Sequence, residues 1–166
     1  MEKRNIPISL PVTGNDEWQA LKEPLETGWL TAGPKVRVFE DAFAERHQVK
    51  YAVAVTSATT ALHLALIALD IKVGDQVIVP AFTWVSTANV VLYQGAEVVF
   101  CDIDPNTFNL DPKKLKQKIT SKTKAIMVVH LFGLCAPMDE IKTIAGDISL
   151  IEDGACAAGS AYKGVP

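Results

Sequence analysis

Cysteine is scarce in this chain. The three residues among 166, Cys101, Cys135 and Cys156, are too few and too widely spaced for a disulfide framework or a CxxC metal site. They read as small core residues, and a reducing cytoplasm is the compartment that fits. A basic excess is also missing: 16 Lys and Arg face 19 Asp and Glu, for a formal charge of −3. That balance leaves no basic stripe for nucleic acid and no polybasic patch for a membrane. No stretch approaches the roughly 20 apolar residues of a membrane span, and the first residues, 1–7, lack the apolar core of a signal peptide. We expect neither export nor membrane insertion. The nucleotide loops GxGxxG and GxxxxGK(S/T) are absent. No His/Cys/Asp/Glu group has metal-ligand spacing, so no metal is expected, and no Ser/His/Asp chain is legible.

What is present is a composition of 49% hydrophobic and 21% charged residues, ordinary for a domain that can bury a real core. From Tyr51 onward, runs rich in valine and isoleucine alternate with longer amphipathic segments. This is the α/β pattern of parallel strands covered by helices on both faces. The spacing predicts strands over 51–56, 76–80, 97–101, 124–129 and 148–151, with helices near 59–69, 84–93, 112–119 and 137–145. Residues 1–50 predict a helical arm, with helices near 15–26 and 34–47, packed on the 51–166 body. Residues 159–166 read as a turn leading out of a strand, with nothing after it to close the sheet. Five strands with an unpaired apolar edge invite association, so 51–166 is expected to be the front part of a larger domain.

Several strand ends carry polar or aromatic residues. Thr56-Ser57-Ala58-Thr59-Thr60 stands where a helix begins. Free first-turn amides, the helix dipole and hydroxyl donors make a phosphate cradle there, although Ser and Thr also cap helices without any ligand. Trp84 follows the 76–80 strand, where an indole can stack on a flat cofactor or simply pack in the core. Its neighbours Thr83, Ser86 and Thr87 are polar for a core. Asp102-Ile103-Asp104-Pro105 reads as a capped turn before it reads as a paired-carboxylate site. His130, after the fourth strand, is expected to point into the same crevice, with a structural role as the alternative. Asp153 ends the last strand; such a carboxylate can hold a cofactor's protonated ring nitrogen, cap a helix or bind a ribose.

Taken in order, six segments resemble the DegT-type family of pyridoxal 5'-phosphate (PLP)-dependent sugar aminotransferases. They are Gly28-Trp29-Leu30-Thr31-Ala32-Gly33-Pro34, residues 57–66, Val79-Pro80-Ala81-Phe82-Thr83-Trp84, Asp102-Ile103-Asp104, His130-Leu131-Phe132-Gly133 and Glu152-Asp153-Gly154-Ala155-Cys156. The resemblance begins at about Ile6. It implies the large domain of the aspartate-aminotransferase-like fold (PLP fold type I), with PLP as cofactor. By the same resemblance, Ser57, Ala58 and Thr59 lie at the PLP phosphate, Trp84 stacks on the ring and Asp153 pairs with the ring nitrogen. Cys156 falls near the phenolic oxygen, where relatives carry glutamine or histidine. Gly28, Trp29, Leu30, Thr31 and His130 lie on the substrate side. Ala58 stands where glycine is usual, which matters if the site needs positive φ, and Gly154 replaces a common alanine.

The resemblance further implies transamination of a nucleotide-linked keto sugar by an amino-acid donor such as glutamate, in polysaccharide biosynthesis, by a cytoplasmic homodimer. Relatives anchor the cofactor through a lysine beyond the Tyr-Lys-Gly turn, a segment this sequence does not contain, so the 166-residue chain by itself is expected to be inactive. Three other readings stay open: a PLP- or pyridoxamine-dependent sugar dehydratase on the same scaffold, a noncatalytic PLP-binding or association protein, and an ordinary nucleotide-binding α/β protein.

Overall fold

A computed structural model describes Pro7 and residues 10–166; Ile6, where the resemblance begins, and the rest of the arm's first residues lie outside the described residues. The elements in chain order are α1 (Asn15–Thr27), α2 (Pro34–Arg46), α3 (Ala58–Ala68), β1 (Gln76–Pro80), α4 (Ser86–Tyr93) and β2 (Glu97–Cys101). They continue with α5 (Pro112–Leu115), β3 (Thr123–Val129), a 3-10 turn at Leu131–Gly133, α6 (Met138–Ala145) and β4 (Ser149–Asp153). The four strands form one sheet in the order β2-β1-β3-β4, and every pairing is parallel.

Burial follows sheet position. The central strands β1 and β3 are buried almost throughout, because helices cover both their faces and no side of them meets water. One face gathers Val77, Val79, Ala125, Met127 and Ile151 under Leu62 and Leu66 of α3 and Val90 and Val91 of α4. The other gathers Ile78, Ile126 and Val128 under Leu115, Met138 and Ile141. Cys101 belongs to this second layer, and burial pushes its thiol up to about 11. Only this cysteine fits the expected core role, since Cys135 is half-buried and Cys156 exposed.

Strand order decides where a ligand can sit. From β1 the chain crosses through α4 to β2 at one edge, then returns across the opposite face to β3 on the other side of β1. Right-handed crossovers running in opposite directions put their helices on opposite faces, so the loops after β1 and β3 diverge and leave a crevice at their C-terminal ends.

Two expectations differ from the structure. Residues 51–56 form no strand: among the described residues none lies beside them as a ladder partner, and Tyr51 and Val53 are 74% and 76% exposed. Their main tie is the Ala54 amide donating to Glu40 Oε1 at 2.8 Å. Helix α5 stops at Leu115, beyond which Gln117 and Lys118 donate to Lys114 and Leu115, the tighter i→i+3 bonds of a closing turn. In the arm neither α1 nor α2 holds a fully buried residue, and Trp18, Leu21 and Leu25 form an exposed stripe on α1.

Leu66 is fully buried between α3 and the sheet, whereas Leu64 on the same helix is about half exposed. Leu66→Ala should therefore cost about 2–5 kcal/mol in urea unfolding and Leu64→Ala about 0.5 kcal/mol or less. Equal losses would contradict this core assignment.

Candidate active site

Parallel pairing brings the strand ends to one edge. Pro80 stands beside Cys101 and Val129 beside Asp153, and the His130 amide extends the ladder by donating to the Asp153 carbonyl at 3.1 Å. Helix α3 packs on α4 and reaches β4. It leads into β1 and runs back against the strands, as crossover helices do, so its N-terminus opens at that same edge.

At that N-terminus Ser57 is extended and caps the helix, its Oγ accepting from the Thr60 amide at 3.2 Å. Thr56 and Ser57 each lie 3.1 Å from the Thr60 hydroxyl. The amides of Ala58 and Thr59 precede the first intrahelical acceptor, and the helix dipole adds positive potential beside them. Ala58 is itself helical, so the missing glycine imposes no backbone strain here.

Asp153 is 7% exposed although it is a carboxylate. Its Oδ1 accepts from the Ala155 amide at 3.1 Å, and its Oδ2 accepts from Thr87 Oγ1 at 3.3 Å. A buried carboxylate needs such donors. Trp84, in the turn before α4, is 75% exposed, so its indole face is open and not consumed by core packing. Cys156 is exposed in the turn after β4.

Strand alternation turns Glu152 to the other face, where it meets His130. His130 is 7% exposed: its Nδ1 accepts from the Ala136 amide at 3.1 Å, which leaves the proton on Nε2, 3.0 Å from Glu152 Oε2. Both ring nitrogens are engaged within the chain, which gives the ring a structural role. With Glu152 it lines a cavity of about 430 Å³. Asp104 closes a turn by accepting from the Asn106 amide at 2.7 Å, in keeping with the capped-turn reading.

The Gly28–Thr31 segment lies apart from Asp153, at the junction of α1 and α2. Gly28 takes φ 70° as the C-cap of α1, and Trp29 Nε1 donates to the Ala32 carbonyl at 3.3 Å. A Cβ at Gly33 would stand 2.3 Å from that indole nitrogen, so the segment depends on a glycine there. Sequence reasoning passed over Thr87 as a site residue. Its signal was present: Thr83 and Thr87 are one turn apart at the start of a helix otherwise apolar on that face.

The family model of the DegT/DnrJ/EryC1/StrS aminotransferases matches residues 11–166. The chain belongs to this family. It is 47% identical over 167 residues to the spore coat polysaccharide biosynthesis protein SpsC of Bacillus subtilis, covering 98% of this chain and 43% of that one. Spr1654 of Streptococcus pneumoniae, solved in a PLP form, superposes with a TM-score of 0.92 at 36% identity, covering 98% of this chain and 46% of its own. A GDP-4-keto-6-deoxymannose-3-dehydratase superposes at 0.88 with 38% identity, covering 95% and 43%. The chain thus spans less than half the length of these relatives, and its sheet and helices are the corresponding part of the PLP fold type I architecture. Among the described residues no helix is long and apolar enough to cross a membrane, and no group of three or more His, Cys, Asp or Glu is placed to hold a metal.

The His130 hydrogen bond is the main cause holding the Glu152 carboxyl below its ordinary range, with burial opposing it. A lowered folded value means stabilisation that is complete above the unfolded carboxylate value and lost as pH falls through the folded one. Glu152→Gln should lower stability at pH 7 by under about 1 kcal/mol, given the half-exposed side chain. The gap to the parent should close as pH falls below the ordinary glutamate value of about 4.3. Urea midpoints across pH would show it, and a gap independent of pH would contradict the pairing.

Proposed function

We propose that the complete protein uses PLP to transfer an amino group from an amino-acid donor such as glutamate to a keto sugar carried on a nucleotide. The observation that carries this reading is the buried, twice-bonded Asp153 carboxylate at the mouth of a parallel strand, on the edge where the α3 N-terminus opens. When bound, PLP supplies an electron sink for carbon–nitrogen bond chemistry. The residues fit that group. First-turn amides of Ala58 and Thr59 with the hydroxyls of Ser57 and Thr59 suit a phosphate dianion, the open face of Trp84 suits a pyridine ring, and an acceptor-only carboxylate suits a protonated ring nitrogen.

In this assignment Ser57, Ala58 and Thr59 bind the phosphate and keep the cofactor from rotating. Trp84 covers one ring face and excludes water from it. Asp153 holds the proton on the ring nitrogen. Cys156 stands on the phenolic-oxygen side as a weak donor. Gly28, Trp29, Leu30 and Thr31 serve the sugar-nucleotide side, and His130, engaged at both nitrogens, shapes the pocket wall and orients Glu152 instead of donating to a ligand. The exposed apolar stripe of α1 suits burial in a homodimer. The B. subtilis relative's place in spore coat polysaccharide biosynthesis supports a role in making a polysaccharide precursor, which we assign to the cytoplasm.

A sugar dehydratase is the second reading, favoured by the 38% identity to GDP-4-keto-6-deoxymannose-3-dehydratase. The full-length protein given PLP, glutamate and nucleotide-linked keto sugars should yield 2-oxoglutarate and an amino sugar, and Asp153→Ala should lower the rate at least ~100-fold. A deoxygenated keto sugar in place of the amino sugar would establish the second reading. An Asp153→Ala rate equal to the parent's would sink the site assignment.

A further inference from the structure

Helix α4 presents Thr87, Val90 and Val91 to the core, and all three are fully buried. The two valines meet apolar neighbours; Thr87, nearly the same shape as valine, does not need its hydroxyl for packing. That hydroxyl reaches Asp153 Oδ2 at 3.3 Å across 66 residues of sequence. It also lies 3.1 Å from the Thr83 hydroxyl. A hydroxyl has one proton. With the proton of Thr87 on the carboxylate, its oxygen accepts from Thr83, and the direction of the chain is set: Thr83 to Thr87 to Asp153.

We propose that Thr87 is a positioning residue, oriented by Thr83, that fixes the rotation of the Asp153 carboxylate toward the cofactor's ring nitrogen. This rests on the proposed PLP site. An ionised carboxylate offers about four lone-pair sites. The Ala155 amide takes one on Oδ1 and Thr87 takes one on Oδ2, so the plane of the group is held from both oxygens while acceptor capacity remains for a third donor. Consecutive hydroxyls polarise one another, which strengthens the terminal bond onto the carboxylate. Without Thr87 the carboxylate is held from one oxygen alone and can turn away from the ring.

The test compares PLP with its 1-deaza analogue, in which carbon replaces the ring nitrogen, binding to the full-length protein by spectroscopic titration. Thr87→Val, close to isosteric, should weaken PLP about 10-fold, the worth of one hydrogen bond to a charged group, and leave the deaza analogue unchanged. Thr87→Ser should restore PLP binding to within about 2-fold, and Thr83→Val should give a smaller PLP-selective loss of about 2–3-fold, as expected of a neutral bond one step away. Urea midpoints identify any variant that fails to fold, in which case Thr83→Val carries the test. Equal losses for both ligands, or no loss for either, overturn the role of Thr87. If Asp153→Ala itself shows no PLP-selective loss, the ring-nitrogen reading of Asp153 fails first and the inference falls with it.

Discussion

Parallel pairing of β3 with β4, in the register that sets Val129 beside Asp153, is the constraint on which the site depends. A parallel strand emerges at the same edge as its neighbours, so the loops after β1, β3 and β4 gather where the chain reverses its direction across the sheet. The His130 amide, bonded to the Asp153 carbonyl, continues that ladder one step past β3 and holds the carboxylate's backbone at the rim. A slip of one residue would exchange the faces of Glu152 and Asp153, placing the wrong acid beside Thr87.

Those adjacent acids show how a strand serves two purposes. Asp153 turns toward α3 and α4, where a threonine hydroxyl and a backbone amide meet its oxygens. Glu152 turns toward the α6 face, where a histidine fixed in one tautomer by the Ala136 amide donates to it. The buried Asp153 and the half-exposed Glu152 each have a donor of their own, and among the described residues no buried side-chain nitrogen or oxygen lacks a partner. The first arrangement keeps acceptor capacity facing the crevice; the second uses both nitrogens of the histidine and closes that wall.

Much of this was legible in the sequence, for reasons that differ by element. Strands 76–80 and 97–101 appear within the predicted limits because continuous valine-rich runs bounded by Gly74-Asp75, Pro80 and Gly95 leave little choice. The Ser57 cap was legible because capping is local. Residues 51–56 have the same valine-alanine character, yet a strand is defined by a neighbour, and no local pattern supplies one. The arm carries a related gap: Trp18, Leu21 and Leu25 mark a face that wants burial, not what buries it. The orientation of His130 depended on Glu152 and Ala136, and the partner of Thr87 lies 66 positions away. Pairwise tertiary contacts of this kind leave only residue type and spacing in a single sequence.

The direction in which the Asp153 carboxylate points when the cofactor is bound decides the site assignment. A crystal structure of the full-length protein with PLP answers it by the distance from that carboxylate to the ring nitrogen. The expected distance is that of a charge-assisted hydrogen bond, about 2.7–2.9 Å, with the phosphate on the amides of Ala58 and Thr59. A ring nitrogen facing solvent or another side chain, with Asp153 bonded only to Thr87 and Ala155, would contradict it.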